Sequence, residues 1–167
     1  MKRLFDFPDP VNEAAARTVA FGVVILSTLT LVTGWAWLLG LLLYGFAARV
    51  LTGPTLSPLG QFATRVAAPR LARLTRFSPG PPKRFAQGVG LCVTLAATLT
   101  WLLAGWPVAR WLLLPLLGAA SLEAFAGYCV GCAMFRGLMR LGVIPESVCA
   151  ACADLSDHYR RLGANAD

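Results

Sequence analysis

Four cysteines near the C-terminal end of the chain form two Cys-x-x-Cys pairs, Cys129/Cys132 and Cys149/Cys152, with sixteen residues between the pairs. Paired thiols at this spacing support two kinds of chemistry. A Cys-x-x-Cys at the start of a helix lowers the pKa of a thiol and favours thiol–disulfide or sulfur-transfer reactions. Two such pairs about 15–20 residues apart also match the pattern of a four-thiolate zinc site.

The residues around the pairs leave both interpretations open, together with a third in which each pair is an independent structural feature. In a reducing cytoplasm, metal binding or catalysis is favoured over a permanent disulfide. Cys132 and Cys152 are each followed by alanine, and both pairs look helical, whereas a zinc knuckle has a glycine-containing turn. The four cysteines are therefore predicted to be catalytic in the redox interpretation and zinc ligands in the alternative.

The composition of the chain indicates a membrane protein. Of its 167 residues, 57% are hydrophobic and 14% are charged, whereas a soluble domain has about 25% charged residues. The length fits a single domain, 1–167. The net charge of +7 is explained by attraction to anionic lipid headgroups and requires no nucleic acid partner.

Four apolar runs are long enough to approach or exceed the roughly 20 residues that cross a bilayer. The sequence predicts an all-α membrane protein, a four-transmembrane-helix bundle with an interfacial amphipathic helix and a short C-terminal helix at about 146–162. The predicted spans are Ala14–Thr33, Trp35–Leu51, Phe85–Ala104 and Pro107–Met134.

The distribution of positive charge predicts the orientation. Of the 15 lysines and arginines, 14 lie before the first span, between the second and third, or after the fourth, when span ends are included. Cytoplasmic segments carry this excess, so both termini are expected on the cytoplasmic side of a bacterial inner membrane. The tryptophans agree, because all of them cluster near the two opposite hairpin turns, as in an aromatic belt. They are Trp35, Trp37, Trp101, Trp106 and Trp111.

The segment 52–84 between the second and third spans predicts a helix in the headgroup plane. Ser57 precedes Pro58 as an N-cap would, and apolar residues follow at helical spacing, interleaved with arginines. Such a helix lies on the membrane with its apolar face buried. The apolar positions are Leu59, Phe62 and Val66, and the arginines are Arg65, Arg70, Arg73 and Arg76.

Glu123 is a carboxylate within the fourth predicted span, where ionisable side chains usually pair or carry out a function. Small residues on its side of the helix allow close helix approach, so Glu123 is expected to point into the bundle. Its partner is expected among polar side chains at similar depth, Arg49, Arg17, Arg84 and Gln87. A structural ion pair and a proton-handling or ligand-binding carboxylate both remain open.

Several motifs together resemble an uncharacterised bacterial membrane protein family, domain of unknown function 4395. They are Phe7-Pro8 with Val11-Asn12-Glu13, Gly53-Pro54 with Ser57-Pro58-Leu59-Gly60, Pro82-Lys83-Arg84-Phe85-Ala86-Gln87, Leu122-Glu123, Gly127-Tyr128-Cys129-x-Gly131-Cys132, and Ile144-Pro145-x-x-Val148-Cys149-x-x-Cys152. The resemblance implies a compact integral membrane domain with the same cysteine pairs. It implies no activity, although association of some members with thioredoxin-like or sulfurtransferase proteins favours sulfur chemistry.

These observations predict a cytoplasm-facing membrane thiol protein with a redox or sulfur-relay role and a thioredoxin-like or sulfurtransferase partner. The main alternative is a non-enzymatic membrane scaffold or partner subunit, in which zinc held by the four cysteines pins the C-terminal helix to the fourth span. A third hypothesis is a small transporter that uses Glu123, which would require an oligomer because four spans are few for transport.

Overall fold

A computed structural model describes residues 9–71, 77–149 and 152 of the chain. The first helix, α1 (Glu13–Thr33), begins after Asn12, whose side-chain oxygen accepts a hydrogen bond from the backbone N–H of Ala14. It ends at Gly34, which adopts a left-handed conformation with φ of 69°. Glycine suits this position because it has no Cβ to clash. The turn leads into α2 (Ala36–Thr52).

A helical segment follows Ser57, and it packs on the bundle. Ser57 caps α3, which comprises the contiguous segments Pro58–Phe62, the π-helical turn Ala63–Ala67, and Ala68–Arg70. Ala63 and Ala68 are buried against the N-terminal half of α1. Phe62, which is predicted on the apolar stripe that faces the membrane, is 53% exposed. Arg65 and Arg70 are exposed, whereas Arg73 and Arg76 lie outside the described residues.

A two-stranded antiparallel sheet joins the start of the chain to the segment before the third long helix. Strand β1 (Val11–Asn12) pairs with β2 (Phe77–Ser78). Beyond β2, the backbone N–H of Gly80 donates to Asp9 Oδ1 at 3.0 Å. These contacts hold the N-terminal end of α1 beside the beginning of α4 (Gly80–Ala104).

The second half of the chain contains two long helices and a shorter one. Helix α5 (Trp106–Ala126) includes Pro115 and ends in a π-helical turn. It is followed by α6 (Val130–Arg140) and a 3-10 turn at Glu146–Val148. The predicted C-terminal helix at 146–162 lies mostly outside the described residues. Helix α4 packs against α2, α5 and α6, and α1 packs against α2 and α5.

The described chain is mainly helical, and α1, α4 and α5 are long and apolar enough to cross a membrane. Helix α2 is also apolar but has 17 residues. Many large apolar side chains point away from the bundle; for example, Val32 is 80% exposed and Leu103 is 87% exposed. Apolar exposure on this scale is compatible with a membrane protein. The interior is packed by residues of α1, α2, α4 and α5, namely Val23, Leu39, Leu42, Phe46, Ala97, Leu113 and Leu116.

Candidate functional site

The first cysteine pair begins a separate helix. The fourth span was predicted to continue through Met134, but the structure ends α5 at Ala126. Gly127 takes a left-handed φ of 68°, and the N–H of Tyr128 donates to the carbonyl of Leu122 at 3.1 Å. This is the hydrogen bonding of a glycine-terminated helix. The prediction of one continuous helix is therefore wrong, and the chain changes direction just before Cys129.

Cys129 is the N-cap of α6. Its backbone is extended, with φ of −86° and ψ of 102°, and its Sγ accepts a hydrogen bond from the backbone N–H of Cys132 at 3.2 Å. A sulfur in this position can accept hydrogen bonds from the unpaired N–H groups of the first helical turn, and it lies at the positive end of the helix dipole. The sequence predicts this pair near the end of the fourth span, whereas the structure places it at the start of a separate helix.

Gly131 allows the start of α6 to approach α4 closely. A Cβ built on Gly131 would lie 2.5 Å from the Cβ and 2.6 Å from the Cα of Ala86. Lys83 precedes Ala86 by one helical turn, so the close packing brings the cysteine pair beside Lys83. The central glycine of Cys-Val-Gly-Cys thus positions the thiols against the bundle.

Lys83 forms an ion pair with Glu123, in which Nζ donates to Oε1. The Lys83 side chain is 11% exposed and the Glu123 side chain is 16% exposed, so the pair is largely shielded from solvent. The partner of Glu123 was expected to be Arg49, Arg17, Arg84 or Gln87, and that prediction is wrong. Lys83 was missed because the third span was predicted to begin at Phe85, whereas α4 begins at Gly80. Pro81 and Pro82 were the signal, since proline favours the first helical turn.

The local electrostatics distinguish the two thiols. The hydrogen bond from the Cys132 side chain lowers the pKa of the Cys129 thiol, and the Lys83 ammonium acts in the same direction. Burial and the Glu123 carboxylate oppose this shift. The same hydrogen bond and burial raise the pKa of Cys132. These shifts favour the thiolate form at Cys129 and the protonated form at Cys132.

The other residues of the predicted polar cluster have separate partners. Arg49 donates from Nε to Gln87 Oε1 at 2.8 Å and from Nη1 to Ser57 Oγ at 3.3 Å. Arg84 is exposed, and its Nε donates to the carbonyl of Val50 at 3.1 Å. The guanidinium of Arg17 lies against Gly127. Of the predicted set, only Arg49 and Gln87 are hydrogen-bonded to each other among the described residues.

The second pair is a disulfide that packs on α6. Cys149 and Cys152 are bonded, with Cα atoms 5.2 Å apart, and both are buried against Phe135. Phe135 in turn packs edge-to-face on Phe85 of α4, with ring centroids 5.6 Å apart. Because Cys132 and Phe135 are three residues apart on α6, they share a side of the helix. The second pair therefore docks on the helix that the first pair begins.

The two pairs do not form a four-ligand group in this arrangement. Cys129 and Cys132 are free thiols, whereas Cys149 and Cys152 are bonded to each other. Within residues 9–71, 77–149 and 152, no three Cys, His, Asp or Glu side chains converge as metal ligands would. Zinc binding by the four cysteines stays a prediction, and it requires the disulfide to be reduced and the pairs to move together.

A cavity of about 230 Å³ lies behind Cys129. Its wall is mainly apolar and is formed by α1, α4, α5 and the start of α6, with Gln87, Glu123 and Cys129 as its polar members. Its apolar members include Val23, Phe46, Val93, Pro115 and Leu116. Cys129, which is partly exposed, therefore borders a mainly apolar cavity.

Comparison with known proteins identifies a family. The family model described as "Domain of unknown function (DUF4395)" matches residues 11–140, which include the first cysteine pair and end before the second. No curated protein and no solved structure matches the chain. Because the matched region covers most of its length, the chain belongs to this family of unknown function.

Proposed function

We propose that the protein is a membrane thiol–disulfide exchange protein whose two Cys-x-x-Cys pairs pass electrons or sulfur between the bundle and a soluble partner. The observation that carries this proposal is the asymmetry of the first pair. Cys129 caps a helix beside a lysine and is the nucleophile, while Cys132 keeps its proton and can resolve a mixed disulfide. Reactive cysteines occupy such electropositive, partly accessible surroundings.

The exchange between the pairs balances without another reagent. After the pairs move together, the Cys129 thiolate attacks one sulfur of the Cys149–Cys152 disulfide, which forms a bond between the pairs and releases one thiolate. Cys132 then loses its proton and attacks the Cys129 sulfur, which forms the Cys129–Cys132 disulfide and releases the second thiolate. Two electrons pass to the second pair, and the protons lost from the first pair end on the released thiolates. The reduced second pair can then reduce a disulfide of a thioredoxin-like protein. Alternatively, one of its thiolates attacks the outer sulfur of a sulfurtransferase persulfide, which forms a persulfide on this chain and leaves the sulfurtransferase cysteine as a thiol.

The proposed setting is the cytoplasmic membrane of a bacterium, with four spans and both termini on the cytoplasmic side. Helix α2, at 17 residues, reaches the lower end of the range for a membrane span. The exposed Arg65 and Arg70 of α3 support contact of that helix with anionic headgroups. In this orientation both cysteine pairs face the reducing compartment, where disulfides are usually transient and catalytic.

Trapping of a mixed disulfide tests the proposal. The purified, reduced protein is incubated with thioredoxin that lacks its resolving cysteine and carries its remaining cysteine as a mixed disulfide with thionitrobenzoate, so that an attacking thiolate displaces thionitrobenzoate. Adducts are detected on non-reducing gels and located by mass spectrometry. We expect an adduct that accumulates in Cys152→Ser, because the remaining Cys149 has no partner that can release it, and that is absent when Cys149 is also replaced. Cys92→Ser is the matched control, since Cys92 is an exposed thiol outside both pairs.

Two results would contradict the proposal. One is the absence of an adduct with every single replacement in the four paired cysteines. The other is about one zinc ion per chain in protein purified anaerobically without chelator, lost when any one of the four is replaced. The second result would favour the structural zinc site of a non-enzymatic scaffold, because metal binding would then contribute to the stability of the fold.

A further inference from the structure

Arg49 is a buried cation near the C-terminal end of α2. Only 6% of its surface is exposed. Its guanidinium donates to Gln87 and Ser57 and lies 4.7 Å from the centroid of the Phe46 ring. All three partners are uncharged, so the positive charge of Arg49 is hydrogen-bonded but is not neutralised by them.

The described part of the chain supplies no counter-ion for Arg49. Among the residues that the structure describes, the ion pair within 4.0 Å is Lys83–Glu123. The nearby carboxylate of Glu123 is therefore already paired with Lys83. A guanidinium has five N–H donors, and the hydrogen bonds to Gln87 and Ser57 use two of them. Buried charges in proteins are normally paired. The remaining donors and the uncompensated charge therefore call for an anion from outside these residues.

A cavity beside Arg49 has the size and charge for such an anion. Its volume is about 70 Å³, whereas a buried water needs about 10–15 Å³ and drug-sized ligands occupy about 300–1,000 Å³. An ion of a few atoms therefore fits. The charged residues in its wall are Arg49, Lys83 and Glu123, and their formal charges sum to +1. One monovalent anion neutralises that sum.

We propose that this cavity binds a small monovalent inorganic anion, such as chloride or nitrate, on the guanidinium of Arg49. The site does not depend on the thiol exchange proposed above. It is nevertheless adjacent to it, because Gln87 and Glu123 line both this cavity and the larger one behind Cys129. Gly60 and Thr64 of α3 also line this cavity, so the docking of α3 on the bundle helps to enclose the anion.

Chloride NMR line broadening on the full-length protein in detergent micelles tests the site, with gluconate as the background anion because it is too large for the cavity. We expect saturable broadening that nitrate and bromide reverse by competition. Arg49→Gln should weaken chloride binding by about tenfold or more, since it removes charge-assisted hydrogen bonds. Thr64→Leu, which fills the cavity and leaves Arg49 in place, should weaken it similarly and serves if Arg49→Gln fails to fold.

Arg84→Gln is the matched control, because it removes an exposed arginine that does not line the cavity. It should leave chloride affinity within about twofold of the wild-type value, since exposed charges are screened. Absence of saturable broadening in the wild-type protein would overturn the proposal. An equal loss in Arg84→Gln would also overturn it, because binding would then reflect general surface charge. Stronger competition by short-chain phosphatidylglycerol than by nitrate would assign the site to a lipid headgroup instead.

Discussion

Replacement of Gly131 by alanine is expected to displace the first cysteine pair from α4. The new Cβ would lie 2.5 Å and 2.6 Å from the Cβ and Cα of Ala86, whereas carbon atoms in normal contact are about 3.5–4.0 Å apart. The start of α6 must therefore move by about 1 Å, because the Ala86 backbone in α4 is held by helical hydrogen bonds. Overpacking of this kind costs about 1–3 kcal/mol.

Gly137→Ala on the same helix provides a matched control. A Cβ at Gly137 meets no atom within 4 Å, so alanine should stabilise α6 by up to about 1 kcal/mol through its higher helix propensity. The two substitutions are chemically identical and differ only in their surroundings. Gly131→Ala should therefore lower the stability of the protein while Gly137→Ala leaves it unchanged or raises it.

The assay combines thermal unfolding in micelles with the rate of alkylation at Cys129. We expect Gly131→Ala to lower the unfolding midpoint and to slow alkylation at neutral pH, because the thiol moves away from Lys83. Gly137→Ala should leave the alkylation rate unchanged. Equal stability and equal alkylation rates in the two variants would refute the reasoning, because α6 could not then approach α4 at Gly131.

Two further predictions follow from the same region. Because the pKa of Cys129 is lowered, its alkylation rate should rise at a lower pH than that of free cysteine, as the thiol loses its proton. Lys83→Gln should move this pH–rate profile to higher pH. A wild-type profile at or above that of free cysteine would contradict the lowered pKa. Gly127→Ala should destabilise the protein more than Gly142→Ala, as measured by thermal unfolding. Both glycines have positive φ, 68° and 74°, but a Cβ at Gly127 collides with Arg17 whereas one at Gly142 meets no atom. Equal losses would show that backbone strain alone acts at both positions.

Chloride binding in the smaller cavity and thiol exchange depend on different residues, so one proposal can be refuted without the other. Cys129→Ser should abolish thiol exchange and leave chloride binding intact, because Cys129 does not line the smaller cavity. Thr64→Leu should have the opposite effect. Loss of both activities in either variant would indicate that the two cavities respond to one common change in the bundle.

Hydropathy and local capping signals in the sequence were sufficient to predict the helical character of the chain and much of its helix order. Long apolar runs are hard to bury in a soluble protein of this size, so they indicate membrane helices. Gly34 specifies a helix end and Ser57 a helix start through local backbone hydrogen bonding. The cysteine spacing also pointed to the site, because paired thiols have no role in lipid burial. These features depend on residues that are close together in the chain, so they can be predicted from the sequence without the tertiary structure.

The partners within the site required the tertiary structure. Gly127 could equally continue a small-residue helix face or terminate the helix, and its left-handed φ is stabilised by packing that includes Arg17 from α1. Lys83 looked like a loop cation until the start of α4 at Gly80 placed it beside Glu123. The hydrogen bonds of Arg49 to Gln87 and Ser57 and the docking of Cys149 and Cys152 on Phe135 likewise depend on which helices meet. Sequence determined the residue types and local elements, and long-range packing decided which charges and thiols became neighbours.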